Sequence, residues 1–246
     1  MIFFLIPIFN EEQNLLQLSE SIRTVKLDSD FITIMVDDGS TDKSHEIAQK
    51  CFSDLNLIYL FNEKNSGPGF SFNHGFEYIL EQYGTNESDL IVTLEGDNTS
   101  DIHILPTMIM LARRNFDLVL ASVYAQGGEI KNSSFLRKTL SLGANLFIRV
   151  FFDIKVLTMS SFYRVYKIET VAKIKEKYEI CVQNNGFLSQ IELIIKSIGV
   201  NAKIIEVPMI LDSSKREGKS KMKVFKTGLE YFKFFIRHGI NKKTFK

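Results

Sequence analysis

The sequence predicts an α/β fold with a mostly parallel sheet flanked by helices, and three observations carry that expectation. Short apolar runs of strand length alternate with helix-length amphipathic segments from the first residues to about Ala121. Three of those runs, ending at Ile6, Val36 and Leu94, pass straight into polar, acid-rich clusters. The chain has 246 residues of which 45% are apolar, enough for one sizeable core.

Ile2 to Ile6 reads as the first strand, closed by Pro7. Phe9-Asn10-Glu11-Glu12 opens a helix whose Leu15, Leu16, Ile22 and Val25 are spaced for one apolar face. Phe31 to Val36 is the second strand. The cluster Asp37-Asp38-Gly39-Ser40-Thr41-Asp42 follows it and starts a helix over 43–52. Leu57 to Phe61 is the third strand, and the turn-rich Asn62 to Gly69 leads to a helix with Phe72, Phe76, Ile79 and Leu80 on one side. Leu90 to Leu94 is a fourth, buried strand, too short for a helix. A helix from about Ile102 to Arg113 and a strand from Asp117 to Ala121 complete the regular half.

The second half is less periodic. Phe135 to Phe152 reads as a long helix carrying Arg137, Lys138 and Arg149, and Ser160 to Tyr166 as an edge strand. Gly186 to Ile198 is an amphipathic helix in which Glu192 stands among Leu188, Ile191, Leu193 and Ile195. Such an acid either reaches solvent or serves a site. Ala202 to Val207 is a short strand. Lys215 to Lys223 is the most basic run; its glycine permits folding over phosphates, and a solvated linker is the alternative. In the tail, Val224 to Ile240 sets Phe225, Leu229, Phe232, Phe235 and Ile236 among basic residues, the pattern of a helix lying on a membrane surface or packing on the domain. The expected division is therefore one domain over 1–222 and a basic amphipathic tail over 223–246.

In a parallel sheet the acidic strand ends share one edge, so Glu12, Asp37, Asp38, Glu95 and Asp97 can line one cleft. Glu95-Gly96-Asp97 puts two carboxylates beside a glycine, where a hard cation such as Mg²⁺ or Mn²⁺ would relieve their repulsion. An acidic turn capping the helix near Asp101 is the alternative. A net charge of +1 argues against a general polyanion-binding role, and so against nucleic acid. Cys51 and Cys181 have no metal-ligand or disulfide spacing and read as small core residues in a reducing compartment. No run of 18 apolar residues occurs, and the N-terminus lacks a basic leader, so a peripheral rather than a membrane-spanning protein is expected.

These segments resemble the inverting family 2 glycosyltransferases of GT-A (Rossmann-like) fold, above all dolichol-phosphate mannosyltransferases and their bacterial polyprenyl-phosphate relatives. The resemblance runs from Ile6 to about Met222 and rests on the order and spacing of its motifs. They are Pro7-Ile8-Phe9-Asn10-Glu11, Asp37 to Asp42, Glu95-Gly96-Asp97 at a DxD position, Arg137-Lys138-Thr139-Leu140-Ser141, and Glu206-Val207-Pro208 followed by Gly218-Lys219-Ser220-Lys221. The resemblance implies a GDP- or UDP-hexose held by Pro7, Phe9, Glu11, Glu12, Asp37, Asp38 and Gly39, with Lys215 and Lys221 at its phosphates. Glu95 and Asp97 would bind the metal. Asp97, Arg137, Ser141, Arg164 and Arg216 would serve the chemistry, with Arg137 and Ser141 receiving a polyprenyl phosphate; Glu192, the acid in an apolar helix, is counted with them on its own pattern.

The location implied is peripheral, at the cytoplasmic face of the cell membrane, with a membrane partner subunit or a homo-oligomer both open. The chain departs from the usual pattern at Val123, at Thr99, at Thr158-Met159-Ser160-Ser161-Phe162-Tyr163-Arg164 and at Lys215. Those departures keep open a surface-glycan acceptor, or a nucleotide-sugar-binding subunit without turnover.

Overall fold

The computed structural model describes residues 1–133, 142–143, 145 and 154–218. The first half alternates β1 (Ile2–Ile8), α1 (Leu15–Thr24), β2 (Phe31–Asp37), α2 (Ser44–Cys51), β3 (Leu57–Phe61), α3 (Pro68–Tyr83), β4 (Leu90–Thr93), α4 (Leu105–Arg114) and β5 (Leu118–Ser122). The second half contributes β6 (Glu129–Lys131), β7 (Arg164–Lys167), α5 (Ile168–Tyr178), α6 (Ser189–Gly199), β8 (Ile204–Pro208) and β9 (Ile210–Asp212). Among the described residues, seven strands form one sheet in the order β3-β2-β1-β4-β7-β5-β8, and β6 pairs with β9 beside it. Every pairing in the large sheet is parallel except those of β7, which runs antiparallel to β4 and β5.

Both faces of the sheet are covered, which is why its central strands are apolar throughout rather than alternating. Along β1, Phe3 and Leu5 pack with Phe72, Phe76 and Ile79 of α3 and with Ile191 and Ile194 of α6. Ile2, Phe4, Ile6 and Ile8 point the other way, to Leu15, Leu18 and Ile22 of α1, Ala48 of α2 and Leu105 and Met108 of α4. Phe72 and Phe76 are fully buried, and each contributes about 1.5–3 kcal/mol by leaving water. Cys181 is buried and its thiol is pushed up to about 12 by desolvation, leaving it an inert core residue. Cys51 is only half-buried.

The structure corrects several boundaries. β1 continues through Pro7 to Ile8. Leu5 faces β4, since its carbonyl accepts from Leu94 N–H, and Pro7 faces the same side, where β4 has already ended. No ladder partner is lost for want of its N–H. α1 begins at Leu15 rather than near Glu11, because residues 10–12 donate their N–H groups to side chains after β2. Leu16 is 53% exposed, so the apolar face is Leu15, Leu18 and Ile22 without it. The expected edge strand over 160–166 is instead the interior strand β7, starting at Arg164. Arg164 gives that segment a polar look, yet the residue is fully buried and its donors are satisfied by neighbouring oxygens. The expected helix over Phe135–Phe152, the boundary near residue 222 and the tail helix lie outside the described residues. Among the described residues, no helix is long and apolar enough to cross a membrane.

Candidate active site

β2, β1 and β4 are adjacent and parallel, so the segments that follow them emerge at one edge of the sheet. After β1 the chain turns at Asn10, whose φ of 52° is left-handed. That turn is laced to the loop after β2. Asn10 N–H donates to Ser40 Oγ, Glu11 N–H to Ser44 Oγ and Thr41 N–H to Asn10 Oδ1, each at 2.8 Å. Glu12 N–H donates to Asp42 Oδ2 at 3.2 Å, while the Glu12 carboxylate accepts from Lys43 N–H at 3.0 Å.

Asp37 and Asp38, both buried, hold this edge together. Asp37 accepts from the Tyr59 hydroxyl at 2.5 Å and from Ser40 N–H at 2.8 Å. Burial and the Asp37 carboxylate raise the Tyr59 phenol well above its ordinary value, so it remains a donor. Asp38 accepts from Ser66 N–H at 2.9 Å, Gly67 N–H at 2.7 Å and Asn62 Nδ2 at 3.1 Å. Gly39 has φ of 75°, and a Cβ there would stand 2.9 Å from Asn65 N, so only glycine lets these two loops close.

At the end of β4, Glu95 accepts from Ser100 Oγ at 2.8 Å and from Phe162 N–H at 3.1 Å. Gly96 packs on the end of β1, where a Cβ would come 2.9 Å from Ile8 Cγ2 and 3.3 Å from the Pro7 carbonyl. Asp97 is 8% exposed, and its Oδ1 accepts from Thr99 N–H at 3.1 Å and Thr99 Oγ1 at 2.7 Å. Its other oxygen pairs with Arg216. Burial lowers the Arg216 guanidinium from its ordinary value, while the charges of Glu11 and Glu95 push it back up. Arg216 is therefore paired with Asp97 and feels the charges of Glu11 and Glu95.

A strap from β9 to Gly218 delivers that arginine. Asp212 N–H donates to the Thr99 carbonyl at 3.0 Å, and the Asp212 carboxylate accepts from Asn132 Nδ2 at 2.8 Å and Ser214 Oγ at 2.7 Å. Bonds from Asn132 and Ser214 bring this carboxyl down to about 2. Beyond Arg216, Glu217 N–H donates to Asn14 Oδ1 at 2.8 Å and its carbonyl accepts from Asn14 Nδ2 at 3.2 Å. The strap thus crosses from Thr99 to the start of α1, with Arg216 turned inward between the two anchors.

The structure gathers Pro7, Glu11, Asp37, Asp38, Gly39, Glu95, Asp97 and Arg216 at one edge, with Phe9 and Glu12 on the loop after β1 and exposed Lys215 beside Arg216. Two expected residues are not gathered there. Arg164 donates to the Ser161 and Met159 carbonyls at 2.8 and 3.1 Å, bracing the turn that leads to Phe162 and Glu95. Glu192 is inside α6, paired with Lys196 at 2.7 Å. Arg137, Ser141 and Lys221 lie outside the described residues.

Sequence reasoning missed Asn14, which fastens the strap, and Asn62 and Tyr59, which fix the two aspartates. Asn14 had a visible signal, a polar residue just before the apolar face of α1. The main-chain donor of Phe162 had none.

The donor set suits a hard cation: Asp97 and Glu95 are oxygen ligands flanked by the hydroxyls of Thr99 and Ser100. Among the described residues, no three His, Cys, Asp or Glu side chains form a cage of their own. Such a set fits an ion that takes one or two carboxylates and completes its shell with substrate phosphates and water.

A doubly covered, mostly parallel sheet with acidic loops at one edge and a basic strap across them is the architecture of a GT-A-like transferase. A sequence model described as Glycosyl transferase family 2 matches residues 3–175, and the chain belongs to that family. It is 29% identical over 237 residues to the dolichol-phosphate mannosyltransferase of Pyrococcus furiosus, a match spanning 95% of this chain and 62% of that protein. It is 26% identical to the undecaprenyl-phosphate mannosyltransferase of Micrococcus luteus, across 89% of this chain and 86% of that one. The glucosyl-3-phosphoglycerate synthase of Mycobacterium tuberculosis, solved with Mn²⁺ and UDP-glucose, superposes with a TM-score of 0.63 at 17% identity. That superposition covers 96% of this chain and 76% of the other, a likeness of fold.

Proposed function

We propose that this chain transfers a hexose, mannose or glucose, from a GDP- or UDP-sugar to a polyprenyl phosphate, with inversion and with Mg²⁺ or Mn²⁺. The observation that carries the reading is the ion pair of Asp97 with Arg216 at the carboxyl end of β4, within electrostatic reach of Glu11 and Glu95. The names of the Pyrococcus and Micrococcus relatives support the lipid-phosphate acceptor.

On this reading Pro7 and Phe9 offer apolar surface to the base, and Asp37 with Glu12 takes the polar groups of the nucleoside. Asp38 acts through the loop 62–67 that it holds. Asp97 and Glu95 would hold the ion, which when bound supplies neutralisation of the leaving nucleoside diphosphate. Arg216 leaves Asp97 for the donor phosphates, joined by Lys215 and Lys221. Arg137 and Ser141 orient the acceptor phosphate. That phosphate is already an anion, so one of its oxygens attacks the anomeric carbon as the bond to the diphosphate breaks, and no general base is required. Rate then comes from positioning and from charge stabilisation at the leaving group. Arg164 contributes by bracing the turn beside Glu95 rather than by contact.

The test is a transfer assay with labelled GDP- and UDP-hexoses, short-chain polyprenyl phosphate, and Mn²⁺ or EDTA. Metal-dependent label in the lipid phase is expected. Label released only as free sugar would move the acceptor to a surface glycan, and nucleotide binding without turnover would leave a non-catalytic subunit. The basic aromatic tail accounts for a peripheral place at the cytoplasmic membrane face. Deleting residues after Met222 should release the protein from anionic liposomes, and undiminished binding would refute that placement.

A further inference from the structure

The described core holds a buried ion pair outside the cluster at Asp97, Glu192 with Lys196 on successive turns of α6, each side chain only 6% exposed. Neighbouring positions on α6 are apolar and buried, among them Ile191, Leu193, Ile194 and Ile195. Taking two charges out of water costs several kcal/mol per ion in such a place unless every remaining donor and acceptor is matched. Here they are matched, and all by one loop. The Glu192 carboxylate accepts from Gln183 N–H and Asn184 N–H, both at 2.9 Å, and from Asn184 Nδ2 at 2.7 Å. Lys196 Nζ donates to the carbonyls of Ile180 at 2.8 Å and Cys181 at 3.2 Å.

The loop so fixed, residues 180–185, lies against the start of α3. Asn185 carbonyl accepts from Gly69 N–H at 2.7 Å, and Val182 N–H donates to Asn73 Oδ1 at 3.1 Å. The contact is backbone on backbone: a Cβ on Gly67 would run into the Asn185 carbonyl, and one on Gly69 into the Asn184 carbonyl. Gly67 and Ser66 in turn give their N–H groups to Asp38. One path from the ion pair to the end of β2 thus runs through main-chain groups: the Glu192 carboxylate holds 183–184, the 184–185 carbonyls pack on Gly67 and Gly69, and Gly67 N–H is held by Asp38.

We infer that Glu192 and Lys196 are positioning residues for the nucleotide half of the site: they set the 180–185 loop, through it the loop 62–67 under Asp38, and so the affinity for the donor's nucleoside diphosphate. This rests on the donor site proposed above. It assigns Glu192 a role at a distance in place of a catalytic contact. An apolar replacement of a buried pair often leaves stability nearly unchanged while removing its polar ties. The pair's stabilising and positioning effects can therefore be separated.

The experiment is calorimetric binding of GDP and of UDP, each with Mn²⁺, to the full chain, alongside the melting temperature. The variants are Lys196→Arg, the double variant Glu192→Leu/Lys196→Met, and Gly69→Ala, which pushes the same loop contact without touching the charges. Lys196→Arg should bind nucleotide within about twofold of the parent. The double variant and Gly69→Ala should each weaken binding about tenfold, a change of about 1.4 kcal/mol, and the folded double variant should melt within a few degrees of the parent. If a folded double variant or folded Gly69→Ala binds as tightly as the parent, the inference falls and the donor site stands. If binding and melting temperature fall in proportion across all three variants, the pair is only scaffolding. If the parent protein binds neither nucleotide, the donor-site reading itself falls.

Discussion

The two sides of the candidate cleft are built differently. On the side proposed for the nucleotide, Asp37 and Asp38 are closed in by Tyr59, Asn62 and the N–H groups of Ser40, Ser66 and Gly67. These loops are held to one another by bonds of their own. On the cation side, Asp97 faces the Arg216 guanidinium on a strap held at its ends by Thr99 and Asn14. A charged partner between two anchors can be exchanged for a metal ion and a diphosphate, whereas main-chain donors pinned by glycines cannot. Affinity for the base should therefore be preformed, and charge neutralisation should arrive with the ligand.

Breaking the cation side should have the largest effect. Asp97→Ala should lower metal-dependent transfer by about 10²–10³-fold, the usual cost of one lost charge-stabilising group, measured as kcat/KM for the nucleotide-sugar. An unchanged rate would remove Asp97 from the mechanism. Gly39→Ala strikes the preformed side. The left-handed φ and the Cβ contact with the Asn65 backbone should together cost about 1–3 kcal/mol of stability and open the loop pair. A lower melting temperature with a raised donor KM is expected, and wild-type values of both would contradict the packing.

Asn14→Ala sharpens the comparison from the strap's end. Losing two bonds to Glu217 and one to the Glu11 carboxylate should cost about 1 kcal/mol or more and raise donor KM a few-fold, with nucleoside binding in EDTA untouched. If that metal-free binding weakened equally, the two sides would not be separable. The smallest effect is a pH dependence. The Asp212 carboxyl is held at about 2, below the ordinary value of about 3.9. A depressed carboxyl contributes fully above its unfolded value, and the contribution fades as pH falls through the folded one. Asp212→Ala should thus lower the melting temperature at pH 7, with the difference shrinking between about pH 4 and pH 2. A difference that persisted at pH 2 would mean the carboxylate is not its source.

Much of the fold was legible because strand ends and apolar periodicity are local properties. The runs at Ile2–Ile6, Phe31–Val36, Leu57–Phe61 and Leu90–Leu94 coincide with β1 to β4 within a residue or two. Convergence of Asp37, Asp38, Glu95 and Asp97, with Glu12 on the loop after β1, was expected from parallel strands alone, and Glu11 was not among the acids it named. β7 was not legible as an interior strand, because a fully buried arginine reads as polar until the Ser161 and Met159 carbonyls that satisfy it are known. Arg164, expected as a site residue, and Glu192, expected either to reach solvent or to serve a site, are both buried and bonded within the protein, and sequence cannot distinguish a side chain that touches substrate from one that ties down a loop. The start of α1 was misread for a similar reason. Ser40, Ser44 and Asp42 draw residues 10–12 into a loop, and those partners are about 30 residues away in sequence.

The most direct measurement is calorimetric titration of the full chain with GDP and UDP, in Mn²⁺ and in EDTA, together with Mn²⁺ alone. The preferred nucleoside diphosphate should bind tightly with Mn²⁺ and weakly in EDTA, and Mn²⁺ alone should bind poorly while Arg216 occupies Asp97. Nucleotide binding indifferent to EDTA, or Mn²⁺ binding equally tight with and without nucleotide, would contradict a cation site that ligand and metal complete together.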